Sequence, residues 1–171
     1  MKRNLSYTIT MLCLAAILAS CGSSAPRVDY QALAQASIKL GMDIDRQDNH
    51  KLYINAARWI GTPYRPGGNN AQGIDCSGLT TQLYKETYRI HLPRSTSKQK
   101  FEVQRLLTID ELREGDLVFF NSHTSSKKAT HVGIYLKDWK FIHASSSRGV
   151  IVSSLLEDYY KEHWICGGRY K

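Results

Sequence analysis

The sequence predicts an α+β domain, in which N-terminal helices pack on a central antiparallel β-sheet. Apolar residues recur at helical spacing in the first half of the body, before about residue 105. After about residue 115 they form short runs divided by turn residues, as in strands. Helices followed by strands are typical of the α+β class. The chain shows no internal repeat and no second domain, so one such unit accounts for the body.

Three helices are expected in the first half. The first has an apolar face that consists of Leu52, Ala56, Trp59 and Ile60. Gly61 follows this face as a natural C-cap. A second helix begins after Asp75, because the aspartate can cap its first N–H groups. A third, shorter helix is expected over residues 96–105, after the break at Leu92-Pro93.

Strand patterns fill the second half. They cover residues 116–120, 131–136, 140–145, 150–153 and 163–170. A short helical piece is expected near residues 155–160. Residues 62–73 contain Pro, Gly and Asn breakers and are expected to form a loop.

Two histidines stand on neighbouring predicted strands. His131 and His143 are separated by a turn around Lys137. With the loop centred on Lys137, His131 lies directly opposite His143, with Cβ atoms about 4.5–5.5 Å apart. The same register pairs Val132 with Ile142 on the other face, which is apolar as a core face should be. We therefore expect the two imidazoles to be neighbours.

Cys76 is the candidate nucleophile. It is predicted in the first turn of a helix, where unpaired N–H groups favour a negative charge and lower the pKa of a thiol. One imidazole can take the thiol proton while a second holds the first in the required tautomer. His131 is the candidate base, because its strand is expected near the centre of the sheet, and His143 is the orienting residue. This arrangement indicates a cysteine peptidase centre.

The N-terminus has the pattern of a bacterial lipoprotein signal. A basic start precedes nine apolar residues at positions 11–19, which is shorter than the roughly 18–20 residues of a membrane-spanning helix. Leu18-Ala19-Ser20-Cys21 resembles a lipobox, in which the cysteine is lipidated. Gly22 in the next position resembles enterobacterial sorting patterns, and this resemblance implies an outer-membrane destination, with the protein facing the periplasm.

These features divide the chain into three segments. Residues 1–20 are expected to be the signal peptide, and residues 21–47 the lipidated N-terminus and a partly ordered tether. A weak helical pattern covers residues 30–40 of this tether. Residues 48–171 are expected to form the peptidase domain, whose size suits a single domain.

The charge favours anionic partners. The chain carries 23 Lys and Arg residues against 15 Asp and Glu residues, and removal of residues 1–20 with Lys2 and Arg3 leaves a net charge of +6. A basic surface outside the cytoplasm suits cell-wall polymers or lipid headgroups. No compact basic patch is interleaved with aromatic residues, so nucleic acid is not expected as a partner. We expect a monomer.

Two alternatives use the same residues for other purposes. A disulfide between Cys76 and Cys166 would remove the nucleophile, but Cys166 lies in an apolar run, where a buried thiol is an ordinary hydrophobe. A zinc site made by these cysteines with His131 and His143 lacks the close ligand pairs typical of structural zinc. We therefore expect no metal and no cofactor.

The motifs around these residues resemble the NlpC family of papain-like bacterial cell-wall peptidases. The resemblance rests on Gly61-Thr62-Pro63-Tyr64, Asp75-Cys76-Ser77-Gly78, Leu92-Pro93-Arg94-Ser95-Thr96, Gly115-Asp116-Leu117-Val118-Phe119-Phe120 and His131-Val132-Gly133-Ile134-Tyr135. It implies a papain-like fold over residues 48–171 and hydrolysis of peptide bonds in peptidoglycan stems or crosslinks. By position it makes Cys76 the nucleophile, His131 the base and His143 the third polar residue. It also makes Tyr64 an active-site tyrosine.

Other residues near these motifs are candidates for substrate contacts. Asp75 and Ser77 could contact the substrate, with helix capping and first-turn packing as their alternative roles. Arg65 and Arg94 could bind stem-peptide carboxylates, or could be solvated loop residues.

Two other functions use the same scaffold, namely a wall-binding lipoprotein without activity and an acyltransferase or amidase.

Overall fold

The computed structural model describes residues 28–122 and 128–170. Within them, the elements in chain order are α1 Tyr30–Leu40, α2 His50–Trp59, β1 Asn69–Asn70, β2 Gly73–Ile74, α3 Cys76–Tyr88, α4 Thr96–Glu102, β3 Arg105–Leu107, a 3-10 turn Ile109–Glu111, β4 Leu117–Phe120, β5 His131–Tyr135, β6 Lys140–Ser145, β7 Gly149–Ser154, α5 Asp158–His163 and β8 Trp164–Arg169. The helices α1 to α4 precede the strands of the main sheet, and α3 packs on that sheet. The predicted α+β class is confirmed.

The main sheet has six strands in the order β3–β8–β4–β5–β6–β7. All of its neighbouring strands are antiparallel. Strand β5 lies inside the sheet between β4 and β6, so His131 stands on an interior strand, as predicted. Strands β1 and β2 form a separate two-stranded hairpin inside the segment that was expected to be a loop.

Helix α1 lies in the segment that was predicted to be a tether. Asp29 caps its start, and Gly41 ends it in the left-handed conformation at φ 62°. The helix packs against α2 and buries Ala36 and Leu40. Few of its residues are buried, and Ile38 is exposed, which explains why its sequence pattern is weak. The folded body therefore extends N-terminal to residue 48.

Helix α4 is shorter than predicted. It ends at Glu102, because Val103 takes an extended conformation. Residues Arg105–Leu107 then pair with β8 as an edge strand that the sequence did not predict. Two of these three residues are exposed, so no apolar alternation marks them as a strand.

Apolar residues lie on both faces of the sheet, since alternate residues of a strand point to opposite sides. The larger core lies between the sheet and the helices and includes Leu79, Leu83, Val132, Ile134 and Ile142. A smaller aromatic cluster on the other face consists of Val118, Phe120, Phe141, Leu155 and Tyr160. Phe141 and Tyr160 of this aromatic cluster contact the ring of His143, and Phe120 contacts that of His131.

The β5–β6 hairpin turns one residue later than predicted. Ile142 pairs with Ile134, whereas the predicted register paired it with Val132. The reason is the turn itself, in which Asp138 and Trp139 both adopt left-handed backbone conformations, with φ 52° and 63°. Because the partners shift by two positions, every side chain keeps its predicted face.

Several predictions about the N-terminus fall on residues without a structural description. The signal peptide and Cys21 lie outside the described residues. Among the helices in residues 28–122 and 128–170, none combines the length and apolar character needed to cross a bilayer.

Candidate active site

Cys76 is the first residue of α3. The carboxylate of Asp75 accepts a hydrogen bond from the Gly78 N–H at 2.7 Å, which confirms the predicted N-cap. The side chain of Cys76 is buried and its thiol is free, and the thiol of Cys166 is free as well. The disulfide alternative is therefore excluded.

The thiol of Cys76 lies between α4 and β5. Its Sγ is 3.7 Å from Thr96 Oγ1, and it also receives a hydrogen bond from the backbone N–H of Val132, the residue after His131. Burial raises the pKa of the Cys76 thiol above its ordinary value, and these hydrogen bonds offset the rise only in part. The expected lowering of the pKa by the helix start is thus outweighed by burial, and the resting group is a neutral thiol.

Asp75 also forms an ion pair with Arg94. Nη1 and Nη2 of Arg94 donate to the two carboxylate oxygens at 2.8 and 2.9 Å, and the Gly67 N–H donates to one of them at 2.9 Å. Burial alone would raise the pKa of Asp75, but the hydrogen bonds from Arg94, Gly78 and Gly67 hold it below its ordinary value. The carboxylate therefore stays ionised at neutral pH.

Ser77 joins the same ion pair. Its Oγ donates to Asp75 at 3.2 Å and accepts from Arg94 Nη1 at 2.8 Å. We call Asp75, Ser77 and Arg94 the helix-start network. Its hydrogen bonds are the capping and first-turn contacts that were the alternative roles of Asp75 and Ser77. Arg65, the other candidate arginine, is exposed in the loop before β1.

Gln99 links this helix start to α4. Its buried side-chain amide donates to the carbonyl oxygens of Ser77 at 3.1 Å and Pro93 at 2.8 Å, and accepts from the Thr80 hydroxyl at 2.8 Å. These bonds hold α4, which begins with Thr96, against the first turn of α3. Sequence reasoning missed Gln99, because a polar residue in a short helix carries no local signal of burial.

His131 and His143 are in contact across β5 and β6. His131 Nε2 lies 2.9 Å from His143 Nδ1, and the rings are nearly perpendicular at 87°. The register places Gly133 opposite His143, so the prediction that the two histidines lie directly opposite was wrong and they are diagonal neighbours. A Cβ at Gly133 would lie 3.2 Å from His143 Cβ and 2.8 Å from the Ile142 oxygen. The glycine leaves the space in which the rings meet.

Burial keeps both imidazoles neutral. It lowers the pKa of His131 to about 4. Burial, followed by the positive charges of His131 and Arg148, lowers the pKa of His143 well below its ordinary value. Near pH 7 the histidine on β5 is therefore an unprotonated base.

The second nitrogen of His143 faces two hydroxyl groups. Its Nε2 is 3.1 Å from Ser153 Oγ on β7 and 3.0 Å from Tyr160 Oη on α5. We call His131, His143, Ser153 and Tyr160 the histidine chain. Sequence reasoning placed Ser153 at a strand end and Tyr160 in a short helical piece, and no motif in the sequence connects either to His143.

A cleft of about 260 Å³ opens over the histidines. Its walls include Tyr64, Thr130, Ser145 and Tyr159. Burial first, then the negative charges that Cys76 and Asp75 carry when ionised, raise the pKa of Tyr64. Within residues 28–122 and 128–170, no three His, Cys, Asp or Glu side chains come together as metal ligands.

Comparison with known proteins identifies the family. A model of the NlpC/P60 family matches residues 61–169, a span that contains the cysteine, both histidines and Tyr64. The chain belongs to the NlpC/P60 family. The resemblance of the Asp75 and His131 motifs to this family is thereby confirmed.

Named relatives of this family are endopeptidases. The chain is 37% identical over 168 residues to a probable endopeptidase NlpC homolog of Haemophilus influenzae, which covers 85% of this chain and 88% of that protein. It is 43% identical over 108 residues to the murein DD-endopeptidase MepS/murein LD-carboxypeptidase of Escherichia coli, which covers 63% of this chain. The chain spans about half the length of that relative, with 55% matched.

Solved structures agree with the fold. An NlpC/P60 family protein from Bacillus cereus superposes with a TM-score of 0.66 at 29% identity, over 75% of this chain and 42% of that one. The predicted papain-like fold is confirmed by this likeness.

Proposed function

We propose that this protein is a cysteine endopeptidase that hydrolyses peptide bonds of bacterial peptidoglycan, in stem peptides or crosslinks, through an acyl-enzyme on Cys76. One observation carries the proposal: the free thiol contacts the backbone beside His131, whose ring contacts that of His143. Relatives named murein endopeptidases support the choice of substrate.

The proposed reaction moves one proton between sulfur, imidazole and substrate. Cys76 Sγ attacks the carbonyl carbon of the scissile amide and forms a C–S bond, while its proton passes to His131 Nδ1. His131 then gives this proton to the amide nitrogen as the C–N bond breaks and the amine leaves. Water loses a proton to His131 as it attacks the thioester, and the proton returns to the departing sulfur.

His143 stabilises the protonated form of His131 in this scheme. Its Nδ1 lone pair accepts the Nε2–H of His131, and that hydrogen bond strengthens when the ring becomes an imidazolium. Because His143 is itself neutral, it orients the base without holding it charged in the resting enzyme.

The attack of Cys76 places a negative charge on the substrate carbonyl oxygen, and we assign the stabilisation of this oxyanion to hydrogen-bond donors near the start of α3. The backbone N–H of Cys76 and the hydroxyl of Tyr64 are the proposed donors, and one such donor typically contributes about 2.7–4 kcal/mol. Asp75 and Ser77 are proposed to form the neighbouring edge of the substrate site, and Arg94 fixes their orientation.

The test is digestion of purified wall sacculi, with the muropeptide products identified by mass. The wild type is expected to release new fragments, and Cys76→Ala none. Cys166→Ala is the matched control, because it removes the other free thiol of the body and is expected to keep activity. Equal product patterns from wild type and Cys76→Ala would contradict the proposal, and products with a newly joined amide would instead indicate an acyltransferase.

The lipid anchor is a second proposal. We infer that Cys21 is lipidated and holds the protein on the outer membrane, facing the periplasm, which the Leu18-Ala19-Ser20-Cys21 pattern supports. Cells fed a labelled fatty acid are expected to label the wild type but not Cys21→Ser. Label on both proteins, or wild-type protein in the soluble periplasmic fraction, would contradict the anchor.

A further inference from the structure

We infer that Ser153 and Tyr160 are positioning residues that together hold the proton of His143 on Nε2. The inference rests on the proposed function, in which His131 accepts the proton of Cys76. Both residues act through His143, which their hydroxyl groups contact.

The two hydroxyl groups form a closed set with the far nitrogen of His143. Nε2 lies 3.1 Å from Ser153 Oγ and 3.0 Å from Tyr160 Oη, and the two hydroxyls also hydrogen-bond to each other. His143 is 1% exposed and Ser153 is 5% exposed, so an N–H at this place needs an acceptor from the protein. Burial raises the pKa of Tyr160, which therefore keeps its own proton at neutral pH.

The positions of the protons follow from the order of these contacts. A base at His131 needs a free lone pair on Nδ1, so the proton of that ring is on Nε2, where it is donated to His143 Nδ1. His143 Nδ1 then carries no proton, and the proton of the second ring is on its Nε2. This N–H is donated to the hydroxyl of Ser153 or Tyr160.

The opposite tautomer would disable the pair. With its proton on Nδ1, His143 would donate to Nε2 of His131, and His131 would hold its own proton on Nδ1. That nitrogen could not accept the proton of Cys76. The hydroxyl pair favours the first tautomer, because Ser153 donates its own proton to Tyr160 Oη and so leaves the lone pairs of its Oγ to accept the Nε2–H of His143.

Either hydroxyl alone can accept this proton, so the two are expected to substitute for each other. Tyr160→Phe keeps the ring packed against Phe120 and Phe141, and Ser153→Ala removes only Oγ. Each single variant is expected to lower kcat by less than about threefold. The double variant should lose at least about thirtyfold with KM little changed, because coupled residues are not additive.

The experiment combines sacculus-digestion kinetics with ¹⁵N NMR of the histidine rings of the full chain at pH 7, where both rings are neutral. In the wild type we expect His143 to carry its proton on Nε2, and in the double variant on Nδ1. Tyr170→Phe is the matched control, because its hydroxyl donates to Glu102 at 2.7 Å and belongs to another contact. It is expected to leave both measurements unchanged.

Two outcomes would overturn the inference. One is a double variant whose kcat loss equals the product of the two single losses, and the other is a His143 tautomer that the double substitution leaves unchanged. If the double variant does not fold, the Nε2 proton resonance of His143 in Tyr160→Phe decides, since it must shift when one acceptor is lost. A wild type that leaves sacculi intact would contradict the proposed function, while the tautomer measurement would still decide this inference.

Discussion

The helix-start network and the histidine chain lie on two sides of Cys76, whose neighbours in sequence are Asp75 and Ser77 and whose thiol accepts a hydrogen bond from the residue after His131, and the two are built differently. The first is a charged network in which Asp75 is ionised and the guanidinium of Arg94 is partly exposed. The second is neutral and packs into the aromatic cluster on the other face of the sheet. The ion pair of Asp75 with Arg94 holds the start of α3 in place at any pH at which Asp75 is ionised. The neutral surroundings of His131 and His143 allow these rings to gain and lose a proton.

This difference decides the resting state of the site. Burial raises the pKa of Cys76 and lowers that of His131 to about 4, so both groups are neutral at pH 7. A preformed thiolate–imidazolium pair is therefore not expected, and the proton moves when the substrate is attacked. Substitutions in one network or the other are therefore expected to have different effects.

Substitution of His131, the proposed base, is expected to have the largest effect on activity. His131→Asn is expected to lower kcat by about 10³-fold, because a general base typically contributes 10²–10⁴-fold. Sacculus digestion measures this loss, and circular dichroism checks that the fold is kept. His50→Asn is the control, since this half-buried ring in α2 hydrogen-bonds to the Asp45 carbonyl at 2.8 Å and belongs to another contact. Wild-type turnover by His131→Asn would remove the histidine from the mechanism.

The neutral resting state can be measured by alkylation. Because the pKa of Cys76 is raised by burial, the rate of its reaction with iodoacetamide should rise about tenfold per pH unit between pH 7 and 9. Quantification of the tryptic peptide that contains Cys76 separates this reaction from that of other cysteines. The unfolded protein, with an ordinary thiol pKa, provides the control. A rate that is constant from pH 6 to 9 would instead show a preformed thiolate.

A glycine substitution tests the contact between the two rings. Gly133→Ala is expected to destabilise the protein by about 1–3 kcal/mol and to lower kcat by about 10–100-fold, because the new Cβ would lie 2.7 Å from Phe141 Cδ2, 2.8 Å from the Ile142 oxygen and 3.2 Å from His143 Cβ, so that β6 with His143 must shift. Urea unfolding and sacculus digestion measure the two effects. Gly41→Ala is the control, since it strains the backbone at φ 62° without a contact near the site, and should keep wild-type kcat. Full activity in Gly133→Ala would show that the ring contact tolerates displacement.

The charged network should affect stability more than chemistry. Asp75→Asn keeps a capping oxygen but leaves Arg94 without its carboxylate, and is expected to lower the free energy of unfolding by about 1–2 kcal/mol above pH 5. Because the pKa of Asp75 is lowered in the folded state, its contribution is present above the unfolded pKa of about 4 and is lost as pH falls further. Urea unfolding from pH 7 to 3 measures this dependence. A difference for Asp75→Asn that persists at pH 3 would contradict the ion-pair explanation.

Local signals were sufficient for most elements and for the charged side of the site. Asp75 is a capping residue by type and position, and α3 begins where that cap predicts. The sequence also placed His131 and His143 on the same face of neighbouring strands. Their register could not be predicted, because it depends on Trp139 in a left-handed conformation that this residue type rarely adopts.

Contacts between segments that are distant in the chain could not be predicted, because no local sequence pattern indicates them. Ser153 and Tyr160 approach His143 only because β7 and α5 fold back over the aromatic cluster. Helix α1 and strand β3 are likewise stabilised by α2 and β8 more than by their own patterns. The pKa of Cys76 was misjudged for a related reason, since burial by α4 and β5 is a tertiary effect.

If Cys21 carries the proposed lipid anchor, helix α1 limits how far the protein can reach from the membrane. Because it is docked on α2, only nine residue steps separate Cys21 from the helix start at Tyr30, and they span at most about 30 Å. An anchored molecule would therefore reach only the part of the wall that lies close to the lipid surface. Unfolding of α1 would add its eleven residues to the linker between the lipid and the folded body, and would so increase the distance that the active site can reach from the membrane.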